Sequence, residues 1–203
     1  MERILELARE LQSLAQAGLY YCDGKFCRER YGRIREISAE LLAQRTDLPL
    51  EKVKDLFCND VGYQTPKVDT RAAIFDGDKI LLVRETDGRW AVPGGWCEVN
   101  LSPAENVLKE VREEAGLEAV VEKVIAVHDY AKHNRPLYIF NVVKIFYQCR
   151  ATGGEFVANI ETVERKYFAE NELPALAEEK CTAEQVKLCF EAHRADFWQT
   201  YFD

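Results

Sequence analysis

The sequence predicts an α/β fold, a mixed sheet between helices, preceded by a small all-helical unit. Three observations carry this. Apolar residues recur at helical spacing from Ile4 to Phe57. From Val68 the pattern changes to β-branched runs separated by glycine turns. One doubly capped helix interrupts those runs near residue 110, and another follows them after Thr182.

The 203 residues, 47% hydrophobic and 31% charged, suit a soluble globular chain with one full domain and a small appendage. A formal net charge of −8 gives no general attraction to nucleic acid or an anionic membrane. A polyanionic substrate would therefore need metal ions or a local basic cluster. No run of about eighteen apolar residues occurs, so no transmembrane helix is expected. Met1 to Glu6 mixes charged and apolar residues, unlike a signal peptide. The seven cysteines are odd in number and irregularly spaced, which fits free thiols in a reducing cytoplasm. Cys22 and Cys27 lack two further ligands at zinc spacing, and Cys97 has no histidine near it in sequence to act as base.

Taken in order, Ile4, Leu7, Ala8, Leu11, Leu14 and Ala15 mark a first helix, which Gly18 is expected to close. A turn at Asp23-Gly24 leads to a second helix over about 26–43. Asp47 is placed to cap a third, with Pro49 near its start and Leu50, Val53, Leu56 and Phe57 facing inward. Three short helices bury little on their own, so residues 1–64 are expected to lean on another surface. Residues 62–67 read as a linker, and residues 68–203 as the main domain. There, Val68–Phe75 and Lys79–Arg84 form a hairpin around Asp76-Gly77-Asp78. Residues 119–131 and the apolar run Leu137–Cys149 read as strands, and 155–168 supplies one or two more. Thr182 with Gln185 caps the last helix, whose apolar face is Val186, Cys189, Phe190, His193 and Phe197.

The most informative stretch is 94–117. Ser102 is a good N-cap, Pro103 suits the first helical position, Glu105 completes a capping box and Gly116 is the natural stop. Ala104, Val107, Leu108, Val111 and Ala115 form the stripe expected to be buried. Glu110, Glu113 and Glu114 stand at i, i+3 and i+4, so they share a face and repel one another. A solvated acidic face would explain them. So would a hard cation, which a carbonyl of the preceding glycine loop is placed to share.

This stretch resembles the Nudix box: a glycine, five residues, Glu, seven residues, then Arg-Glu-aliphatic-x-Glu-Glu-x-Gly-aliphatic. Gly95, Glu110, Val111, Glu113, Glu114, Gly116 and Leu117 fall in register, seven of nine specified positions. Leu101 stands where the box has its first Glu, and Lys109 where it has Arg. Losing both members of that bracing pair leaves no orphan charge. The N-terminal helices, the segment Gly62–Asp69, Arg71-Ala72-Ala73, Gly94-Gly95-Trp96 and Leu101–Glu105 are similar to the Nudix subgroup acting on nucleoside diphosphates linked to another group.

The resemblance implies a Nudix α/β/α sandwich with a small N-terminal all-α domain, a homodimer built with that domain, and a Mg²⁺-dependent hydrolase that Mn²⁺ also serves. Glu110 and Glu114 would be direct ligands, Glu113 would bind a second ion or its water, and the Gly95 carbonyl would lie beside them. Glu161 is the first candidate for general base and Glu164 the second. For substrate contacts, Arg71 is assigned a phosphate, Trp90 or Tyr138 a nucleobase, and His133 with Lys132 and Arg135 a further phosphate, while His128 reads as structural. CDP-choline is the favoured substrate, then ADP-ribose or a nucleotide sugar. The alternatives are an RNA-end hydrolase, which the acidic balance disfavours, and a silent ligand sensor, which the intact carboxylates disfavour.

Overall fold

The computed structural model describes residues 2–45 and 48–203. The chain divides into two compact units: residues up to Pro66 with Leu137–Asn141, and Lys67–Pro136 with Val142–Asp203.

The first unit holds α1 (Glu2–Tyr21), α2 (Lys25–Ala43) and α3 (Leu50–Phe57). Ala8, Ala39, Leu42, Val53 and Phe57 form its core, with Ile139 packed against them. Helix α1 runs through Gly18 instead of ending there. A Cβ on Gly18 would lie 2.5 Å from the Tyr31 ring, so the glycine admits an aromatic side chain of α2 and does not stop α1. The proposed cap Asp47 lies outside the described residues, and Pro49 holds the N-cap position of α3. The strand expected over Leu137–Cys149 starts only at Val142. Its first residues join the helical unit, where Ile139 finds an apolar partner. Periodicity reports that a run will be buried, but not which core will bury it.

The second unit is a mixed sheet with helices on both faces. Its strands are β1 (Lys67–Asp76), β2 (Lys79–Glu85), β3 (Trp90–Ala91), β4 (Gly94–Trp96), β5 (Glu118–Asp129), β6 (Val142–Gly153), β7 (Thr162–Ala169) and β8 (Tyr201–Phe202). β1 is the organising strand. Along one edge it pairs in parallel with β6, from Lys67↔Val142 to Ile74↔Cys149. On its other edge, Asp69–Arg71 pairs with β4 and Phe75-Asp76 with β2. Its side chains alternate between two cores. Ala72 and Ile74, with Leu81 and Val83 of β2, pack beside Val107, Val111 and Ala115 of α4 (Pro103–Ala115). Ala73, Ile80 and Leu82 pack beside Val186, Cys189, Phe190 and Ala192 of α6 (Ala183–Arg194). A sheet buried on both faces explains why β1 and β2 read as almost continuous apolar runs.

β5 stops at Asp129, whose side chain caps a short helical turn, α5 (Tyr130–His133). Beyond α6, Phe197 is 85% exposed and leaves the expected apolar face, while the His193 ring stacks on Phe75 at 3.9 Å. No described helix is long and apolar enough to cross a membrane.

Candidate active site

Helix α4 carries the site, and its caps set its register. The Glu105 N–H donates to Ser102 Oγ at 3.3 Å, and the Ser102 N–H donates to Glu105 Oε2 at 2.9 Å. Gly116 ends the helix at φ 63°, where a Cβ would meet the Glu155 carbonyl at 2.3 Å. Between these stops Asn106, Glu110 and Glu114 are spaced four apart, so one face of α4 presents all three. The glycine loop lies along that face. The Gly94 N–H donates to Glu114 Oε2 at 2.8 Å, and the Glu98 N–H donates to Asn106 Oδ1 at 3.0 Å. Glu110 stands between these two contacts, against Gly95, where a Cβ would lie 2.9 Å from its Oε2. Gly94 has φ 145°, and a Cβ there would sit 1.9 Å from the Thr70 carbonyl. Gly94 is required for the loop to run this close to β1, and Gly95 leaves room for the Glu110 carboxylate. Glu113, one residue off the stripe, is 53% exposed.

These groups line an open cleft with Arg71, Glu85, Thr86, Trp96, Glu98, Lys109, Ile160, Glu161 and Lys180. Among the described residues, six carboxylates therefore line the cleft with three cations. Burial pushes the Glu114 carboxyl up to about 7, against the opposing pull of Arg71 and the Gly94 N–H. Burial also raises Glu110, which Lys109 opposes and which the charges of Glu113 and Glu161 reinforce. The cleft is short of positive charge, and all its anionic donors are oxygen. That donor set suits a hard divalent cation.

Arg71 stands in the cleft wall. Its Nε and Nη2 donate to Asp69 Oδ1 and Oδ2 at 2.7 and 2.8 Å, and Lys144 Nζ donates to Asp69 Oδ1 at 3.2 Å. Burial disfavours the Arg71 cation, but Asp69 outweighs it and the pKa is raised. Lys144, without a bidentate partner, is pushed down by burial to about 8.

The comparisons with known proteins agree with this geometry. Residues 65–189 match the NUDIX domain, and residues 2–57 match the UDP-X-like N-terminal oligomerisation domain of Nudix proteins. The chain belongs to the Nudix family. It is 40% identical over 200 residues, 98% of its length and 96% of the relative's, to the Bacillus subtilis (strain 168) protein "Putative ADP-ribose pyrophosphatase YjhB". A crystal structure of an ADP-ribose pyrophosphatase from Streptococcus suis 89-1591 shares 52% identity over 68% of this chain and all of that one, TM-score 0.65. A crystal structure of UDP-X diphosphatase shares 34% identity over all of this chain and 98% of that one, TM-score 0.65. These likenesses class the enzyme as a Nudix pyrophosphohydrolase.

Within the Nudix box, the structure brings Gly95, Glu110, Glu113 and Glu114 to one cleft, together with Arg71 and Glu161. Glu161 is presented by a loop pinned to α4. Asn159 Nδ2 donates to the Glu113 carbonyl at 2.8 Å, and Thr162 Oγ1 donates to the Glu114 carbonyl at 2.8 Å. Glu164 instead pairs with Arg84 at 2.9 Å across β2 and β7. One aromatic assignment needs correction. Trp90 is 8% exposed in the α6-side core, edge-on to Phe168 at 4.9 Å, on a short strand flanked by β2 and a bridge to Leu176. Tyr138 belongs to the first unit, where its ring stacks on Phe140 at 5.5 Å. Among the described residues, the aromatic lining the cleft is Trp96, 45% exposed, which the sequence flagged only as part of the glycine loop. Lys180, paired with Glu85, was also missed. It lies in a loop between the sheet and α6, and no periodicity points to it.

His133 is bound to Asp203 at 3.0 Å and does not line the cleft. His128, His133 and Asp203 place ligand-type atoms within 4.8 Å of one another. Gln185 argues against a metal there. Its Oε1 accepts from the Thr182 N–H at 3.0 Å, which fixes the amide so that Nε2 donates to His128 Nδ1 at 3.2 Å. The His128 hydrogen then sits on Nε2, whereas a ligating histidine donates from its second nitrogen to an acceptor.

Proposed function

We propose that this Nudix enzyme hydrolyses the diphosphate bridge of a nucleoside diphosphate linked to another group, giving a nucleoside monophosphate and a phosphorylated second product. One observation carries the reading: Glu110, Glu113, Glu114 and Gly95 face a single cleft that holds twice as many carboxylates as cations. Mg²⁺, with Mn²⁺ as substitute, would neutralise the diphosphate oxygens and acidify the attacking water. Glu110 and Glu114 would ligate it, with Glu113 and the Gly95 carbonyl alongside. Glu161 accepts the proton of the attacking water, and its pinned loop holds it on the cleft wall. Arg71, whose Nε and Nη2 are held by Asp69 and whose Nη1 lies 3.4 Å from the Val92 carbonyl, adds a fixed positive charge to the cleft wall near the phosphates. Trp96, exposed in the cleft where Trp90 is not, offers a surface for a nucleobase. The first unit assembles two chains, which its match to an oligomerisation domain supports.

CDP-choline, ADP-ribose and UDP-sugars all present the required diphosphate. The resemblance read from the sequence favours the first, while the relatives are named for ADP-ribose and UDP-X. Purified protein with Mg²⁺ is offered these three and a 5′-triphosphate RNA, and products are resolved by phosphorus NMR. Turnover of at least one diphosphate-linked compound to a nucleoside monophosphate is expected. Turnover of none, or of the RNA alone, would overturn the proposal.

A further inference from the structure

The Nudix box of this chain lacks the Glu and Arg that brace its loop, having Leu101 and Lys109 in their places. Leu101 is only half-buried, and its N–H merely closes a turn on the Glu98 carbonyl at 3.1 Å. Something else must hold the loop against α4. Asn106 is fully buried, 0% exposed, on the first turns of α4, where an amide side chain has no ordinary reason to be. Both ends of its side chain are used. Oδ1 accepts the Glu98 N–H at 3.0 Å, and Nδ2 donates to Thr70 Oγ1 at 2.9 Å. Thr70 is the β1 residue opposite Gly95. One side chain thus ties the helix, the loop and the strand that backs the loop.

The acidic half of the missing pair has moved as well. Lys109 Nζ pairs most closely with Glu113 on its own helix, at 2.5 Å, and also lies 3.2 Å from Glu98 Oε1, an acid three residues upstream of the usual box position. The Glu98–Lys109 pair is solvent-accessible and contributes little alone. The buried amide contributes more, because removing it leaves a loop N–H and a strand hydroxyl without their partner. Glu110 lies between the Asn106–Glu98 and Glu114–Gly94 contacts, so both ends of the loop segment that carries Gly95 are fixed relative to it.

We infer that Asn106, with Thr70 beneath it and Glu98–Lys109 outside it, is the positioning residue that replaces the Glu–Arg brace and sets the Gly95–Glu110 spacing. The part concerning metal affinity rests on the proposed function; the part concerning loop order does not.

The test separates the two. In the metal-free protein, amide hydrogen exchange is followed at Glu98 and, as internal reference, at Gly94. Asn106→Ala should speed exchange at Glu98 by about ten-fold or more, with Gly94 much less affected. Thr70→Val, which removes only the strand contact, should give a smaller increase in the same direction. Mn²⁺ affinity, read by electron paramagnetic resonance, should fall by about ten-fold in Asn106→Ala, an effect of the size seen when supporting groups around metal ligands are removed. Adding Leu101→Glu with Lys109→Arg to Asn106→Ala should restore most of that affinity. Unchanged exchange at Glu98 in both single variants would overturn the inference. So would failure of the restored Glu–Arg pair to recover Mn²⁺ binding. Absence of Mn²⁺ binding in the parent chain would count against the proposed function instead, and the exchange result would still stand or fall by itself.

Discussion

At the scale of single residues, environment separates carboxylates that look alike in sequence. Glu161 and Glu164 lie three apart, yet one lines the cleft and the other is taken by Arg84. If Glu161 accepts the proton of the attacking water, Glu161→Gln should lower kcat by roughly 10²–10⁴-fold with little change in KM. Glu164→Gln should leave kcat within about two-fold, and steady-state kinetics on both variants checks the pair. Trp96→Ala should raise KM about ten-fold and spare kcat if the ring stacks a nucleobase, since such stacking contributes roughly 1–3 kcal/mol per base in proteins that bind single strands. Much of this was legible from the chain alone. The positions of Glu110, Glu113 and Glu114 followed from helical spacing and two caps, all local signals. Trp96, Lys180 and Asn106 were not legible in their present roles. Their surroundings are made by β1, the loop before Thr182 and the glycine loop, and no pattern within a single element encodes such meetings.

At the scale of elements, caps and close approaches fix where each helix begins, ends and packs. Ser102→Ala should cost about 1 kcal/mol, because it removes the acceptor for the Glu105 N–H. Gly18→Ala is expected to cost about 1–3 kcal/mol, since its Cβ would fall 2.5 Å from the Tyr31 ring in the middle of a helix pair. Thermal denaturation of the two variants distinguishes the cases. An increase in stability for Gly18→Ala, as helix propensity alone would give, would contradict the packing role. The same glycine shows why element boundaries were misread. In sequence a glycine after an apolar run signals a helix end, and only the partner helix shows that it is instead a contact. Leu137–Asn141 carries a similar lesson: its apolar, β-rich composition reads as strand, but it joins the helical unit, where Ile139 packs against helix side chains.

For the whole molecule, the sheet is the frame, and the cleft opens where β1 changes partners from β2 to β4. The α/β/α layering followed from alternating apolar runs on either side of one capped helix, so the fold class could be derived before any coordinates. Stability should carry a pH signature from the far side of the sheet. His128 is buried, and burial, with His133 adding to it against Asp203, pushes its pKa down to about 4. A histidine near 6.5 when unfolded takes up a proton that the folded chain resists, so its contribution is complete above about 6.5 and is lost as pH falls toward 4. Unfolding midpoints measured from pH 7 to pH 5 should fall, and His128→Gln should flatten that slope. A chain of this kind should also sediment as a dimer, with the association lost when residues 1–66 carry charges at the exposed Leu14, Tyr21 and Phe26. In the proposed reaction water attacks the diphosphate, and the charge of the α4 carboxylates serves to hold the divalent cation that activates it. Glu114→Gln tests it cleanly, because the amide oxygen can still accept the Gly94 N–H and keep the loop in place. The deciding measurement is kcat/KM of Glu114→Gln against the parent, at saturating Mg²⁺, on the best diphosphate-linked substrate. A fall of about 10²-fold or more is predicted from the loss of charge stabilisation in the transition state. Turnover within two-fold of the parent would contradict it.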